Sequence, residues 1–199
     1  MNKRTVSLSE DEYRSIVEAI SNGFTYTDTE GKEHKFRRNR QLATICVVEA
    51  TTGLRISDVL NLSLASIKKD GNRHCLDITE QKTGKHRNFT VPEELFKVLQ
   101  DYAIDNGIKR TEPLFSIKER GVQKQLAIVA EYLGLEGIST HSFRKTFAHR
   151  VYEKSEYNAE LVRQLLQHTS VVTTQRYLGI GTRQVEQALK DVATAFLCV

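Results

Sequence analysis

Along the chain, apolar positions recur mostly at helical spacing and only briefly at strand spacing. Tyr13, Ile16, Val17 and Ile20 repeat with a helical period behind Ser9 and Glu12, the two members of a capping box, so residues 9–21 are predicted to be helical. Residues 22–36 alternate apolar residues, threonines and charges around Glu30-Gly31, which reads as a hairpin or ordered loop. From Arg38 to Thr52 the apolar residues Leu42, Ile45, Cys46, Val47 and Val48 cover a wide face, so a well-buried helix is expected, ended by Gly53. A short helix should follow from Ser57 and Asp58. Residues 73–79 and 86–91 read as paired strands around a turn at Gly84. Pro92 should open a helix as its first residue, with Leu95, Val98, Leu99 and Tyr102 on one face. Helical spacing returns at 119–133, 141–154, 158–167 and 182–196. The pattern predicts a mainly α fold with a small antiparallel β-sheet, an α+β architecture in one unit over residues 1–199.

Composition narrows the class. With 199 residues, 39% hydrophobic and 27% charged, the chain is large enough for a core and too apolar to be disordered. It has no run of about 18 apolar residues to cross a membrane. Its N-terminus lacks the apolar stretch of a signal peptide, so a cytoplasmic location is expected. Cys46, Cys75 and Cys198 are scattered and odd in number, which argues against a disulfide framework and against zinc. No metal-ligand spacing, P-loop or dinucleotide fingerprint occurs, so neither a metal nor a cofactor is expected. The net charge of +4 is modest. Its clustering says more: Lys35, Arg37, Arg38 and Arg40; Lys68, Lys69 and Arg73; Lys82, Lys85, His86 and Arg87; Lys118, Arg120 and Lys124. Each cluster alone is an ordinary solvated face; together they suit a phosphate-binding surface.

Three stretches carry candidate chemistry. In TTGLRISDVLNLSLASI, residues 51–67, Arg55 stands between a Gly-terminated helix and the next, where its planar fork can hold a phosphate. In HSFRKTFAHRV, residues 141–151, His141 and Arg144 are three apart at a helix start and share a face. In LVRQLLQHTSVVTTQRYL, residues 161–178, His168 ends one helix, Thr169 or Ser170 caps the next, and Tyr177 follows nine residues after His168.

In this order and spacing, over roughly residues 8–185, the three stretches resemble the catalytic domain of the tyrosine recombinases, the phage integrase family. They are similar to its first-arginine box, its His-x-x-Arg box, and its Leu-Gly-His box with the downstream tyrosine. Gln167 replaces the usual glycine before His168, and Phe143 and Lys145 replace the commoner Leu and His around the second arginine. The resemblance implies a site-specific DNA recombinase that cuts through a 3′-phosphotyrosine, with Tyr177 as nucleophile. Arg55, Arg144 and His168 would stabilise the phosphorane oxygens, and His141 would help accept the tyrosine proton. It also implies a lysine on a hairpin turn, to protonate the leaving 5′-oxygen. Lys82 is preferred because it precedes Thr-Gly; Lys85 is its rival. Lys85, Arg87 and Lys145 are expected to contact DNA, while Asp58 is expected to support Arg55 or cap a helix.

The expected partner is double-stranded DNA, with self-association as a tetramer on it and an accessory directionality factor. The helix from residue 182 to the C-terminus carries an apolar stripe (Val185, Ala188, Leu189, Val192, Ala193, Phe196) that would either pack on its own core or dock on a neighbouring protomer. Only some 50 residues precede Arg55, so a separate N-terminal clamping domain is expected to be absent. A non-cutting DNA-binding regulator and a type IB topoisomerase-like enzyme are the alternative readings.

Overall fold

The computed structural model describes residues 5–28, 30–180 and 182–197. The chain falls into two compact units, one running to Phe147 and one beginning at Ala148.

The first unit starts with α1 (Glu10–Asn22). Its capping box forms as predicted: Glu12 N donates to Ser9 Oγ (3.2 Å) and Ser9 N to Glu12 Oε2 (2.7 Å). Ile16 and Ile20 turn fully inward. Strands β1 (Phe24–Thr27) and β2 (Glu33–Phe36) form the expected hairpin, with Phe24 stacked on Phe36 and on Tyr132. Helix α2 (Arg40–Thr52) buries Leu42, Ile45, Cys46 and Val48, and Gly53 ends it in the left-handed conformation. Helix α3 (Ile56–Leu60) is N-capped by Arg55 rather than by Ser57 or Asp58.

A 3-10 turn (Leu64–Ser66) leads into a sheet of order β3-β4-β5, all antiparallel: β3 (Ile67–Asp70), β4 (Arg73–Thr79) and β5 (His86–Val91). The sequence pattern misses β3, because an edge strand reading Ile-Lys-Lys-Asp buries only Ile67 and resembles a surface charge cluster. Part of that cluster is already neutralised, since Lys68 pairs with Asp77 and Arg73 with Asp70. Helix α4 (Glu93–Asp105) takes Pro92 as its N-cap, one place outside the predicted position. Helix α5 (Glu119–Tyr132) follows, then α6 (Thr140–Lys154), which contains the division between the units. The first unit's core gathers Ile16, Leu42, Ile45, Val59, Leu76, Leu99, Leu126 and Phe143. Each such burial is worth about 1.5–3 kcal/mol.

The second unit holds the end of α6, α7 (Ala159–Leu166), α8 (Val171–Leu178) and α9 (Thr182–Leu197). Asn158 caps α7, accepting from Leu161 N at 3.0 Å, and Ser170 caps α8, accepting from Thr173 N at 3.2 Å. Val162 and Leu166 of α7 and Thr174 and Leu178 of α8 are buried. On α9, Leu189, Val192 and Phe196 are exposed; the side chain of Val185, and Cys198 altogether, lie outside the described residues. Cys46 and Cys75 are buried free thiols. No helix among the described residues is long and apolar enough to cross a membrane.

Candidate active site

The first unit builds its part of the site around Gly53. This residue has φ +62°, and a Cβ there would strike the Phe147 ring, so only glycine lets the turn between α2 and α3 lie against α6. Across that contact Arg144 donates from Nη1 to Gly53 O. Arg144 is buried. One residue thus fixes the second arginine while standing two positions before the first.

Arg55 is fixed from the sheet. Its Nη1 donates to Glu80 Oε2 at 2.5 Å, and the Glu80 side chain is wholly buried. The same oxygen accepts from Thr83 Oγ1 at 2.7 Å. The other, Oε1, accepts from Arg87 Nη1 at 3.2 Å, and Arg87 Nη2 donates to Thr52 O at 3.0 Å. Burial by itself would raise the Glu80 carboxyl; the hydrogen bonds from Thr83 and Arg55 and the charges of Arg55 and Arg87 outweigh it and hold the group below the usual carboxylate range. Asp58 Oδ1 accepts from Gln81 N at 2.9 Å, tying α3 to the same hairpin base. Asp58 therefore serves neither of its two expected roles by direct contact: it caps no helix, and its bond goes to the hairpin backbone rather than to Arg55.

Lys82 and Lys85 are both exposed on the turn between β4 and β5, which is closed by Glu80 N to Lys85 O and Gly84 N to Glu80 O, each 2.9 Å. His141, exposed, is the second residue of α6. Loss of hydration pushes its pKa below the ordinary imidazole value, and the positive charges of Arg144, Lys82 and Arg55 push it the same way against an opposing Glu119. The charges of Arg144, Lys82 and Arg55 thus all reach His141. Behind them, Glu49 is a buried carboxyl whose Oε2 has no hydrogen-bond partner among the described residues. Burial raises its pKa well above the usual value; the Arg144 charge opposes this and Glu119 adds to it.

One of the expected DNA contacts needs correction. Arg87 is buried, with its guanidinium committed to Glu80 and Thr52, because β5 directs it inward beneath the turn. It is an internal strut and not a surface phosphate contact. Lys145 is half-buried, and its Nζ donates to Thr5 O at 2.9 Å, which ties the N-terminal segment to α6. Glu80 and Glu49 escaped the sequence reading. Glu49 carried a signal, a lone acid inside an otherwise apolar helical run; Glu80 carried none, since an acid at a strand end is usually solvated.

In the second unit, His168 and Tyr177 meet edge to face, with ring centroids 5.2 Å apart at 79°. Thr174 Oγ1 lies 3.1 Å from His168 Nδ1, and Arg163 Nη1 donates to His168 O at 3.0 Å. Gln167, just before His168, adopts φ +54° at the C-cap of α7. That conformation explains physically why a glycine suits this position. The Tyr177 hydroxyl is buried. Among the described residues no group of three or more His, Cys, Asp or Glu side chains is placed to hold a metal ion.

Comparison with known proteins agrees with this arrangement. The profile of the Phage integrase family matches residues 6–182. A probable integrase/recombinase of Bacillus subtilis, YoeC, is 33% identical over 168 residues, covering 81% of this chain and 90% of that protein. The catalytic domain of bacteriophage HP1 integrase superposes with a TM-score of 0.63 at 21% identity, over 97% of this chain and 98% of that one. The XerH site-specific recombinase bound to its difH substrate gives a TM-score of 0.68 at 21% identity, over 94% of this chain but 53% of that one. With a family profile over most of its length and the fold of recombinase catalytic domains, the chain belongs to the phage integrase family, the tyrosine recombinases, enzymes that cleave and rejoin DNA.

Proposed function

We propose that this chain is the catalytic domain of a site-specific DNA recombinase of the integrase or invertase type, which cuts and rejoins DNA through a 3′-phosphotyrosine. The observation that carries the reading is the linked geometry of the two arginines and the lysine turn: Arg144 donates to Gly53 O, two residues before Arg55, and Arg55 is held by Glu80, which also takes Thr83 beside Lys82. This supports a site in which positive charges and the base His141 act on one phosphodiester.

A phenol with a pKa near 10 is ionised to only about one part in a thousand at neutral pH, so Tyr177 needs a base and a positive environment. His141, kept neutral by its surroundings, takes the tyrosine proton. The tyrosine oxygen forms a bond to phosphorus as the bond to the 5′-oxygen breaks. Arg55 and Arg144 hold the non-bridging oxygens, whose negative charge grows in the transition state, and His168 donates to one of them. The Lys82 ammonium gives its proton to the departing 5′-oxygen. The products are a 3′-phosphotyrosine and a free 5′-hydroxyl. The phosphodiester's energy stays in the new ester, so a 5′-hydroxyl can reverse the step without ATP.

Lys85 would contact the DNA backbone beside the turn, and affinity for DNA would be strongly salt-dependent. The exposed row of Leu189, Val192 and Phe196 supports passage of α9 between protomers in a tetramer on DNA. An accessory protein would set direction, and the DNA substrate places the enzyme in the cytoplasm. The test lets the protein choose its site. It is mixed with short nicked duplexes from its source genome, and the DNA covalently attached after denaturation is sequenced. Adducts at one inverted-repeat sequence, absent with Tyr177→Phe, are expected. Adducts without sequence preference indicate a topoisomerase-like enzyme, and binding without adducts indicates a regulator.

A further inference from the structure

Glu80 lies two residues before the candidate lysine and 25 residues after the first arginine, and its buried carboxylate touches the supports of both. We propose that Glu80 is a positioning residue that sets Arg55 and the Lys82 turn in register with each other; this rests on the recombinase reading above.

The geometry is specific. A single oxygen, Glu80 Oε2, takes Arg55 Nη1 at 2.5 Å and Thr83 Oγ1 at 2.7 Å. Thr83 follows Lys82 directly, so the residue that fixes the arginine fork also fixes the peptide that carries the lysine. Glu80 Oε1 is held in turn by Arg87, itself anchored on Thr52 O at the end of α2. The carboxylate therefore cannot rotate without breaking contacts on both of its oxygens. The backbone bonds of Glu80 with Lys85 and Gly84 close the turn over it. Arg55 keeps 17% of its side chain exposed, so the contact with Glu80 leaves part of the guanidinium open to a phosphate.

The arrangement answers a geometric need. Arg55 acts on non-bridging oxygens and Lys82 on the leaving oxygen of the same phosphorus, so their separation must be held to a fraction of an ångström. Lysine is a flexible point charge on an exposed turn, and nothing in its own four-carbon stem fixes its origin. Its neighbour Thr83 and the buried acid supply that origin.

Positioning and plain electrostatics predict opposite results. Glu80 is negative, and removing its charge makes the site more attractive to a phosphate. Glu80→Gln keeps the shape and the acceptor oxygen, and should leave DNA binding as strong as before or stronger while slowing cleavage. Thr83→Val, at an exposed residue, removes the link between Glu80 and the lysine turn, together with the long bond of 3.3 Å that Thr83 Oγ1 accepts from Lys85 N within that turn.

The experiment uses the full chain and a nicked duplex carrying the sequence captured by the wild-type protein. The duplex is made with oxygen or with sulfur bridging the scissile phosphorus to the 5′ carbon. A thiolate leaves without protonation, so sulfur repairs the loss of a general acid and nothing else. Lys82→Ala is the reference and should be slow on oxygen and restored on sulfur. Thr83→Val is expected to lose about tenfold on oxygen and recover on sulfur. Glu80→Gln should lose more and recover only in part, since the Arg55 fork is also released. Both variants are checked for unchanged melting temperature. Wild-type rates in both variants, or equal losses on the two duplexes for Thr83→Val, overturn the positioning role while leaving the recombinase reading intact. Absence of any Tyr177-dependent adduct from the wild-type protein overturns both.

Discussion

Sequence distance separates the two halves of the candidate chemistry. In the first unit the groups that hold the site come from far away in the chain: Arg144 reaches Gly53 across 91 residues, Arg87 reaches Thr52 across 35, and Arg55 reaches Glu80 across 25. In the second unit the supports are neighbours: His168 is set by Thr174 six residues on and by Arg163 five residues back. The first half therefore exists only when its whole unit is folded. The second is built around two helix caps and one left-handed residue, and its His168–Tyr177 contact joins the turn after α7 to α8. A phosphate cradle benefits from rigidity, because its value lies in dipoles and charges that need not reorganise. A nucleophile that must form and release a bond to DNA is better carried on a short, locally specified piece.

The strongest test of this contrast removes the cradle's charges. Arg55→Ala and Arg144→Ala should each slow formation of the covalent adduct by about 10²–10³-fold, if each arginine acts as a lost oxyanion donor does. Single-turnover cleavage of a nicked duplex measures this. A loss under tenfold for either arginine would remove it from the cradle.

Gly53→Ala comes next. The substitution puts a Cβ at φ +62° and into the Phe147 ring, and should cost about 2–4 kcal/mol of folding free energy. Urea unfolding reads the cost. The loss should be confined to the long-range half: the chemical shifts of His168 and Tyr177 should stay in place while those around Arg55 and Arg144 move. Matching shifts in both halves would break the contrast.

A smaller effect concerns pH. Lost hydration, then the charges of Arg144, Lys82 and Arg55, hold the His141 pKa below the ordinary imidazole value near 6.5. As a base it must be neutral, so cleavage should persist with falling pH to below that value and decline only as His141 takes up its proton. Linkage gives the matching sign for stability. Between about pH 6.5 and the lower folded-state value the unfolded chain binds a proton that the folded chain does not, so this group's contribution to stability declines as pH falls through that window. Lys82→Gln removes one of these charges while leaving His141 itself unchanged, and should move the His141 titration, followed by NMR, upward.

What the sequence reveals divides along the same line. The helices of the second unit follow from caps and periodicity, and His168 and Tyr177 lie nine residues apart in the chain, so spacing is informative there. The roles proposed for Arg55 and Arg144 are legible only through the family resemblance, because no local pattern says that Arg144 donates to Gly53, two residues before Arg55. The burial of Arg87 is hidden from the sequence for the same reason. A basic residue in a basic cluster is normally solvated, and only the long-range partners Glu80 and Thr52 reveal it as buried. Strand β3 was lost because an edge strand needs just one apolar residue facing inward.

The smallest expected effect tests the local half on its own terms. Gln167 holds φ +54° immediately before His168, a conformation that costs a side-chain-bearing residue about 1–2 kcal/mol. Gln167→Gly relieves that cost but gives the unfolded chain more freedom, which returns about 0.5–1 kcal/mol of it. The net should be stabilisation by less than about 1 kcal/mol, read as a small rise in the urea midpoint at constant m-value. Because the C-cap hydrogen bonds of α7 run through the backbone, from Gln167 N and His168 N, they survive the change. The His168–Tyr177 ring contact should survive with them. If Gln167→Gly instead loosened that contact, the side chain and not the turn would be setting His168, and the second half would not be specified by its helix ends alone.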